Sequence, residues 1–308
     1  MHLLKLSDWT PETLLDVLQW GIAVKTTPDK YANACRNRTI LLFFEKPSLR
    51  TRLSFETGIT QMGGHGIYYN IKDSALGKKE NIHDFAKVAG RYADIVMCRL
   101  FSHKVIEEIA ENSDVPVING LTDYSHPCQI LADLMTVKEK KGGFDGLKLA
   151  YVGDSFNNVT HSLIFGCAMV GMDIAIGCPD NAKMSPDPAV LEEGGVLAGK
   201  SGSTVEVFHD AAEAVKDADV VYTDSWMSYH IPPEEEKERV KAFQPYQVNA
   251  ALMSKAKPDA IFMNCLPAMR GYEQTAEVID GPQSVVFDEA ENRMHAQKAV
   301  ILKLLGVV

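Results

Sequence analysis

The stretch "TILLFFEKPSLRTRLSFETGITQM", residues 39–62, decides the fold. Its run TILLFF is apolar on both faces, as a strand of a parallel sheet covered on each side is. The run stops at a charged pair and a proline, Glu45-Lys46-Pro47. Phe55, Ile59 and Met62 then recur at helical spacing. Strand, turn and helix make one β-α unit. Similar short runs stand at 66–70, 95–99, 115–119, 147–153, 173–178, 204–208, 220–223, 260–264 and 284–287, with helical patterns between them. Repeated β-α predicts an α/β fold of two doubly wound parallel-sheet domains joined by bridging helices.

Length agrees: one core rarely grows past about 250–300 residues, and the chain has 308. The break is expected at "KEKKGGFDG", residues 138–146, where a charged helix end meets Gly142-Gly143 before a new strand. The expected domains are 1–141 and 142–290, with a bridging helix at about 129–141. A last helix, at about 291–305, packs residues 291–308 back on the first domain.

Composition excludes several function classes. Apolar residues are 46% and charged residues 23% of the chain, as in an ordinary globular protein. A net charge of −10 argues against general attraction to nucleic acid or acidic membranes. No apolar run of membrane-spanning length occurs. The start "MHLLKLSDWTPETLL" lacks the pattern of a signal peptide. The six cysteines are scattered without a C-x-x-C pair, which points to reduced thiols in the cytoplasm.

Against that acidic background, "SLRT" at 48–51 stands out. A helix N-terminus presents free N–H groups and the positive end of the helix dipole. Ser48 and Thr51 add hydroxyls, and Arg50 adds a fork suited to phosphate oxygens. The alternative is that Ser48 only caps the helix and the arginines are solvated. Arg99 closes the strand "DIVMCR", at a carboxyl end where open α/β sheets place ligands, unless it is a surface arginine. His126 precedes Pro127, a good first-turn residue; it is either a donor to a ligand oxygen or a structural cap. "LGKKENIHD", 76–84, read alone, is a solvated loop.

The ordered set "SLRT", "LGKKE", "RLFSH", "HPCQILAD", "GDSFNNVTHSL", "DSWMS", "NCLPA" and "FDEAENRMHAQKA" spans nearly the whole chain. It resembles the aspartate/ornithine carbamoyltransferase family. The resemblance implies two α/β domains and a homotrimer, or a multiple of trimers, with active sites at subunit boundaries. It implies no metal or organic cofactor, and transfer of a carbamoyl group from carbamoyl phosphate to an amine. Ser48, Arg50, Thr51 and Arg99 match phosphate-binding positions, with Leu49 acting through its backbone. Thr51, Arg99 and His126 match donors to the carbamoyl oxygen, an oxyanion-hole function. Gln129 and the carbonyls of the Cys265-Leu266-Pro267 turn match contacts to the carbamoyl nitrogen. Arg293 matches a distal arginine that closes on carbamoyl phosphate. The lysine loop, Lys78-Lys79, is expected to enter a neighbour's phosphate site.

Within the family, "DSWMS" and "NCLPA" match the ornithine branch. That implies L-ornithine as acceptor, citrulline as product and a place in arginine metabolism. Asp224 matches the residue facing the cationic amino acid, Cys265 the contact to its side-chain amine and Asn158 the contact to its α-carboxylate. Ser228 and Tyr229 fall in a loop that closes over the amino-acid end. Locally, Asp224 reads equally as a loop cap and Cys265 as an inert thiol. Two departures bear on the amine: the branch usually reads "SMG" where this chain has Ser228-Tyr229-His230, and His where it has Asn264. A carbamoyltransferase for another amine, such as putrescine, is the competing enzyme reading. A dinucleotide-binding protein is the competing reading of another class, weakened because "GDSFNN" lacks G-x-G-x-x-G.

Overall fold

In the computed structural model, which describes residues 1–73, 79–227 and 231–308, the opening stretch is strand, turn and helix. Helix α1 (Pro11–Thr26) precedes it, with Thr10 as N-cap and Pro11 in the first turn. Then follow β1 (Thr39–Phe44), α2 (Leu49–Gln61), β2 (His65–Asn70), α3 (Ile82–Tyr92), β3 (Ile95–Arg99), α4 (His103–Asn112), β4 (Val117–Leu121) and α5 (Pro127–Lys141). Next come β5 (Lys148–Val152), α6 (Asn158–Val170), β6 (Asp173–Gly177), α7 (Pro188–Ser201), β7 (Val205–Phe208), α8 (Ala211–Val215) and β8 (Val220–Tyr222). The chain ends with α9 (Glu236–Phe243), α10 (Ala250–Met253), β9 (Ile261–Met263), α11 (Ala276–Ile279) and α12 (Val286–Leu304).

These elements form two units, Met1–Met135 with Glu291–Val308, and Thr136–Ala290. The chain passes from one to the other within α5, and returns within α12. Gly142, in the left-handed region at φ 85°, ends α5, and its N–H donates to the Lys138 carbonyl.

Unit 1 holds a parallel sheet ordered β2-β1-β3-β4 among the described residues. Every residue of β3 and β4 is buried, which is why those runs are apolar except for Arg99 and Asn119. Phe43, Phe85, Val96, Ile106 and Val117 lie in one core cluster. Burying each such side chain contributes roughly 1.5–3 kcal/mol. β2 lies at the sheet edge, and its residues alternate between exposed and half-buried. Strand β4 starts two residues later than its sequence suggests, because Pro116 has no N–H for the ladder.

Unit 2 holds a parallel sheet ordered β7-β6-β5-β8-β9. The strand expected at 284–287 is absent among the described residues. Ser284 makes only an isolated bridge to Phe262, and α12 begins at Val286. The run "SVVF" is apolar enough for a strand, but Asp288 and Glu289 favour a helix N-terminus and win.

Both sheets reverse their strand order once. In unit 1 the reversal falls between β1 and β3, and in unit 2 between β5 and β8. The loops after those strands diverge and leave a crevice, the usual ligand position in open α/β sheets. The loops after β1 and β5 carry "SLRT" and "GDSFNN", and the loop after β8 carries "DSW".

Candidate active site

In unit 1 the Thr51 hydroxyl is the centre of the arrangement. Ser48 is the N-cap of α2, and its Oγ accepts from the Thr51 N–H at 3.3 Å. The same Ser48 Oγ donates to Thr51 Oγ1 at 3.2 Å. Arg99 Nη1 donates to Thr51 Oγ1 at 3.1 Å, and Arg293 Nη2 does so at 3.2 Å. Arg293 Nη1 also donates to Gln129 Oε1 at 2.6 Å, while Gln129 Nε2 donates to Asp133 Oδ1 at 2.7 Å. Five of the expected site residues therefore form one hydrogen-bonded group, drawn from α2, β3, α5 and α12. Ser48 is a helix cap and also a member of this hydrogen-bonded group.

The arginines divide by role. Arg50 is half-buried in the first turn of α2. Arg52 pairs with Glu56 one turn on at 3.1 Å and lies 3.8 Å from the centre of the Tyr68 ring. Arg52 is therefore held by its own helix and by β2. Arg99 is only 7% exposed, which excludes the reading of a surface arginine. Leu49 turns its side chain to solvent, which leaves only its backbone for a ligand at the helix end.

His126 immediately precedes α5 and is buried. Burial holds its imidazole well below the usual histidine range, and the Arg293, Arg99 and Lys46 charges push the same way. It is a neutral imidazole near neutral pH. Lys46 joins this group although its sequence position gave no reason to select it. It is 6% exposed, with Nζ 5.8 Å from the centre of the Phe101 ring. The arrangement places at least three cationic side chains beside a helix N-terminus, which suits a multiply charged oxyanion.

In unit 2 the loop after β5 turns at Gly153, whose φ of 125° favours glycine. A Cβ there would stand 3.2 Å from Trp226 Nε1. Asn157 caps α6, its Oδ1 accepting from the Val159 and Thr160 N–H groups at 2.9 Å each. That places Asn158, half-buried, as the first residue of α6. After β8, the Thr223 hydroxyl donates to the Val152 carbonyl at 2.7 Å, tying the two loops. Asp224 Oδ1 accepts from the Ser225 N–H at 2.7 Å and from the Cys265 thiol at 3.2 Å. Asp224 is thus a loop cap and the partner of Cys265 at once.

The turn after β9 is held by Asn264, which is fully buried. Its Nδ2 donates to Gln274 Oε1 at 3.0 Å, and its Oδ1 accepts from the Leu266 N–H at 2.8 Å. The Asn264 N–H donates to Glu289 Oε2 at 3.0 Å. Leu266 has φ 54° and precedes a cis peptide bond to Pro267. Asn264 therefore shapes the turn that presents Cys265 and Leu266. Ser228, Tyr229 and His230 lie outside the described residues, as do Leu76, Gly77 and Lys78 of the lysine loop. Among the described residues, no cluster of three or more His, Cys, Asp or Glu side chains could hold a metal ion.

Unit 2 carries buried acid around Asp224. Burial pushes the Glu273 carboxyl up to about 7, the Met269 N–H opposing and the Asp224 charge adding to the rise. Asp154 is also pushed up to about 7 by burial, although the Arg239 guanidinium opposes this. For a carboxyl raised on folding, the native state keeps a proton that the unfolded chain releases. Stability therefore falls as pH rises from about 4.5 through 7. In Glu273→Gln, melting temperatures measured from pH 5 to pH 8 should fall less steeply than in the parent protein. An unchanged slope contradicts the assignment.

Comparison with known proteins places both units. The family model described as aspartate/ornithine carbamoyltransferase, carbamoyl-P binding domain matches residues 1–139. The model described as aspartate/ornithine carbamoyltransferase, Asp/Orn binding domain matches residues 145–304. An ornithine carbamoyltransferase from Thermococcus kodakarensis is 49% identical over 303 residues, covering 98% of this chain and 95% of the relative. One from Bacillus subtilis is 48% identical over 303 residues, covering 98% and 93%. The solved structure of ornithine carbamoyltransferase from Pyrococcus furiosus matches with a TM-score of 0.95 at 46% identity, covering 100% of this chain and 97% of that one. The chain belongs to the aspartate/ornithine carbamoyltransferase family.

Proposed function

We propose that the chain transfers the carbamoyl group of carbamoyl phosphate to the δ-amine of L-ornithine, giving citrulline and phosphate. The observation that carries this is the Thr51 hydroxyl ringed by donors from Ser48, Arg99 and Arg293 at the start of α2. In this reading residues 1–141 bind carbamoyl phosphate and residues 142–290 bind the amino acid. Ser48, Leu49, Arg50, Thr51 and Arg99 take the phosphate. Thr51, Arg99 and neutral His126 donate to the carbamoyl oxygen, and Gln129 and Arg293 complete the grip. Asn158 takes the α-carboxylate of ornithine, and Asp224 with Cys265 receives its amines.

The neutral amine attacks the carbamoyl carbon, and charge builds on the carbonyl oxygen. The C–O bond to phosphate then breaks, phosphate leaves with the bonding pair, and the nitrogen sheds a proton. Fixed donors aimed at that oxygen, with both reactants held in place, supply most of the rate. The reaction as written needs no metal or organic cofactor. Asn158, the first residue of α6, favours ornithine over putrescine, because its amide is assigned to an α-carboxylate that putrescine lacks. Incubating carbamoyl phosphate with L-ornithine should yield citrulline and phosphate in equal amounts. Phosphate release without citrulline would overturn the reading.

The proposed assembly is a homotrimer, or a multiple of trimers, in the cytoplasm, serving arginine metabolism. The support lies in unit 1. The edge strand β2 leaves Ile67 and Tyr69 exposed, and Leu53, Val88 and Tyr92 are exposed on α2 and α3. A strand edge unpaired among the described residues, with apolar neighbours, needs a cover. Light scattering should give three subunits or a multiple; an active monomer contradicts this. No helix among the described residues is long and apolar enough to cross a membrane.

A further inference from the structure

We propose that Arg239 is a positioning residue for the acceptor amino acid, fixing the loop that carries Asn158 relative to the loop that carries Asp224. The proposal rests on the assignment of those two residues to ornithine. Arg239 stands on α9 and is 5% exposed. Its Nε–H donates to the Trp226 carbonyl at 2.9 Å, two residues past Asp224. Its Nη2 donates to a carboxylate oxygen of Asp154, itself 2% exposed. One planar fork therefore spans the loops after β8 and β5.

Each end of the fork is anchored further. The Asp154 carbonyl accepts from the Tyr151 hydroxyl at 2.6 Å and from Asn157 Nδ2 at 2.5 Å. Asn157 is the cap that places Asn158. On the other side the Trp226 indole packs on Phe243, with ring centres 5.9 Å apart, and Phe243 is on α9 with Arg239. The guanidinium lies 5.1 Å from the Phe243 ring centre. α9 thus grips Trp226 by carbonyl and ring, and grips Asp154 by charge.

A buried ion pair is weak as a stabiliser, and a neutral pair of similar volume often replaces it without loss. Its geometry is another matter: a lysine or an apolar side chain cannot bridge both acceptors. Arg239→Lys should raise the KM for ornithine about tenfold and leave the KM for carbamoyl phosphate unchanged. The preference for ornithine over putrescine in kcat/KM should shrink by a similar factor, because putrescine lacks the α-carboxylate. The double variant Asp154→Asn/Arg239→Met removes both charges together. It should recover the parent melting temperature while keeping the raised KM for ornithine and the reduced preference. If either folded variant shows parental KM values and preference, or if both substrates weaken equally, Arg239 is structural and the proposal fails. If Arg239→Lys does not fold, the double variant decides alone.

Discussion

Replacing Arg99 by Met should lower kcat by about 10²–10³, the usual cost of removing one donor from an oxyanion site. Arg99 closes β3, is buried, and donates to the Thr51 hydroxyl. Methionine keeps the apolar stem, so the loss is of charge and hydrogen bonds and not of packing. The KM for carbamoyl phosphate should rise as well, since the same guanidinium is assigned to phosphate. His126 also loses one of the positive charges that hold its imidazole neutral. Burial remains the larger cause, so the imidazole should stay neutral at pH 7. Steady-state kinetics with kcat within a few-fold of the parent would contradict the placement of Arg99 at the reacting carbonyl.

Asp224→Asn should lower kcat/KM for ornithine by about 10–150-fold, the cost of losing one charge-assisted contact of roughly 1.5–3 kcal/mol. Asparagine keeps the volume and an oxygen to accept from Ser225 and Cys265. Only the charge is removed. Saturation with carbamoyl phosphate should be unaffected, because Asp224 is assigned to the amino acid and not to the phosphate. The same charge helps raise Glu273 and Asp154, so both carboxyls should ionise at lower pH in the variant. A variant with parental kcat/KM for ornithine would remove Asp224 from the acceptor site.

Much of this fold is legible because parallel strands are buried on both faces and declare themselves as apolar runs. The helix after 48 and the end of α5 at Gly142 are written in local chemistry: a serine cap and a glycine with positive φ. What escaped depends on distant partners. "SVVF" at 284–287 serves a bridge and a helix start; the run itself reads as a strand, and only the acidic pair after it, Asp288-Glu289, marks the helix. Lys46 reads as a solvated turn lysine until Phe101 and His126 are folded around it. Arg52 looks equivalent to Arg50 until Tyr68 arrives from β2. Arg239 sits in a charge-dense helix that reads as a solvated face. Its partner Asp154 lies on a loop of another β-α unit, so the pair leaves no mark in local spacing. Asn264 shows the reverse case. It departs from the branch's usual histidine, yet its amide holds the turn that carries Cys265 and Leu266.

The measurement that tests the central claim most directly is kcat/KM for L-ornithine, putrescine and L-aspartate, determined side by side with saturating carbamoyl phosphate. In the proposed site, Asn158 and Asp224 offer an amide and a carboxylate to the amino-acid end of the acceptor. Even one contact of about 1.4 kcal/mol corresponds to a factor of ten. Ornithine should therefore exceed putrescine by at least about tenfold, with aspartate inert beside the anionic Asp224. Activity should rise with pH as the bound δ-amine becomes neutral. A result in which putrescine or aspartate is the better acceptor would contradict the account.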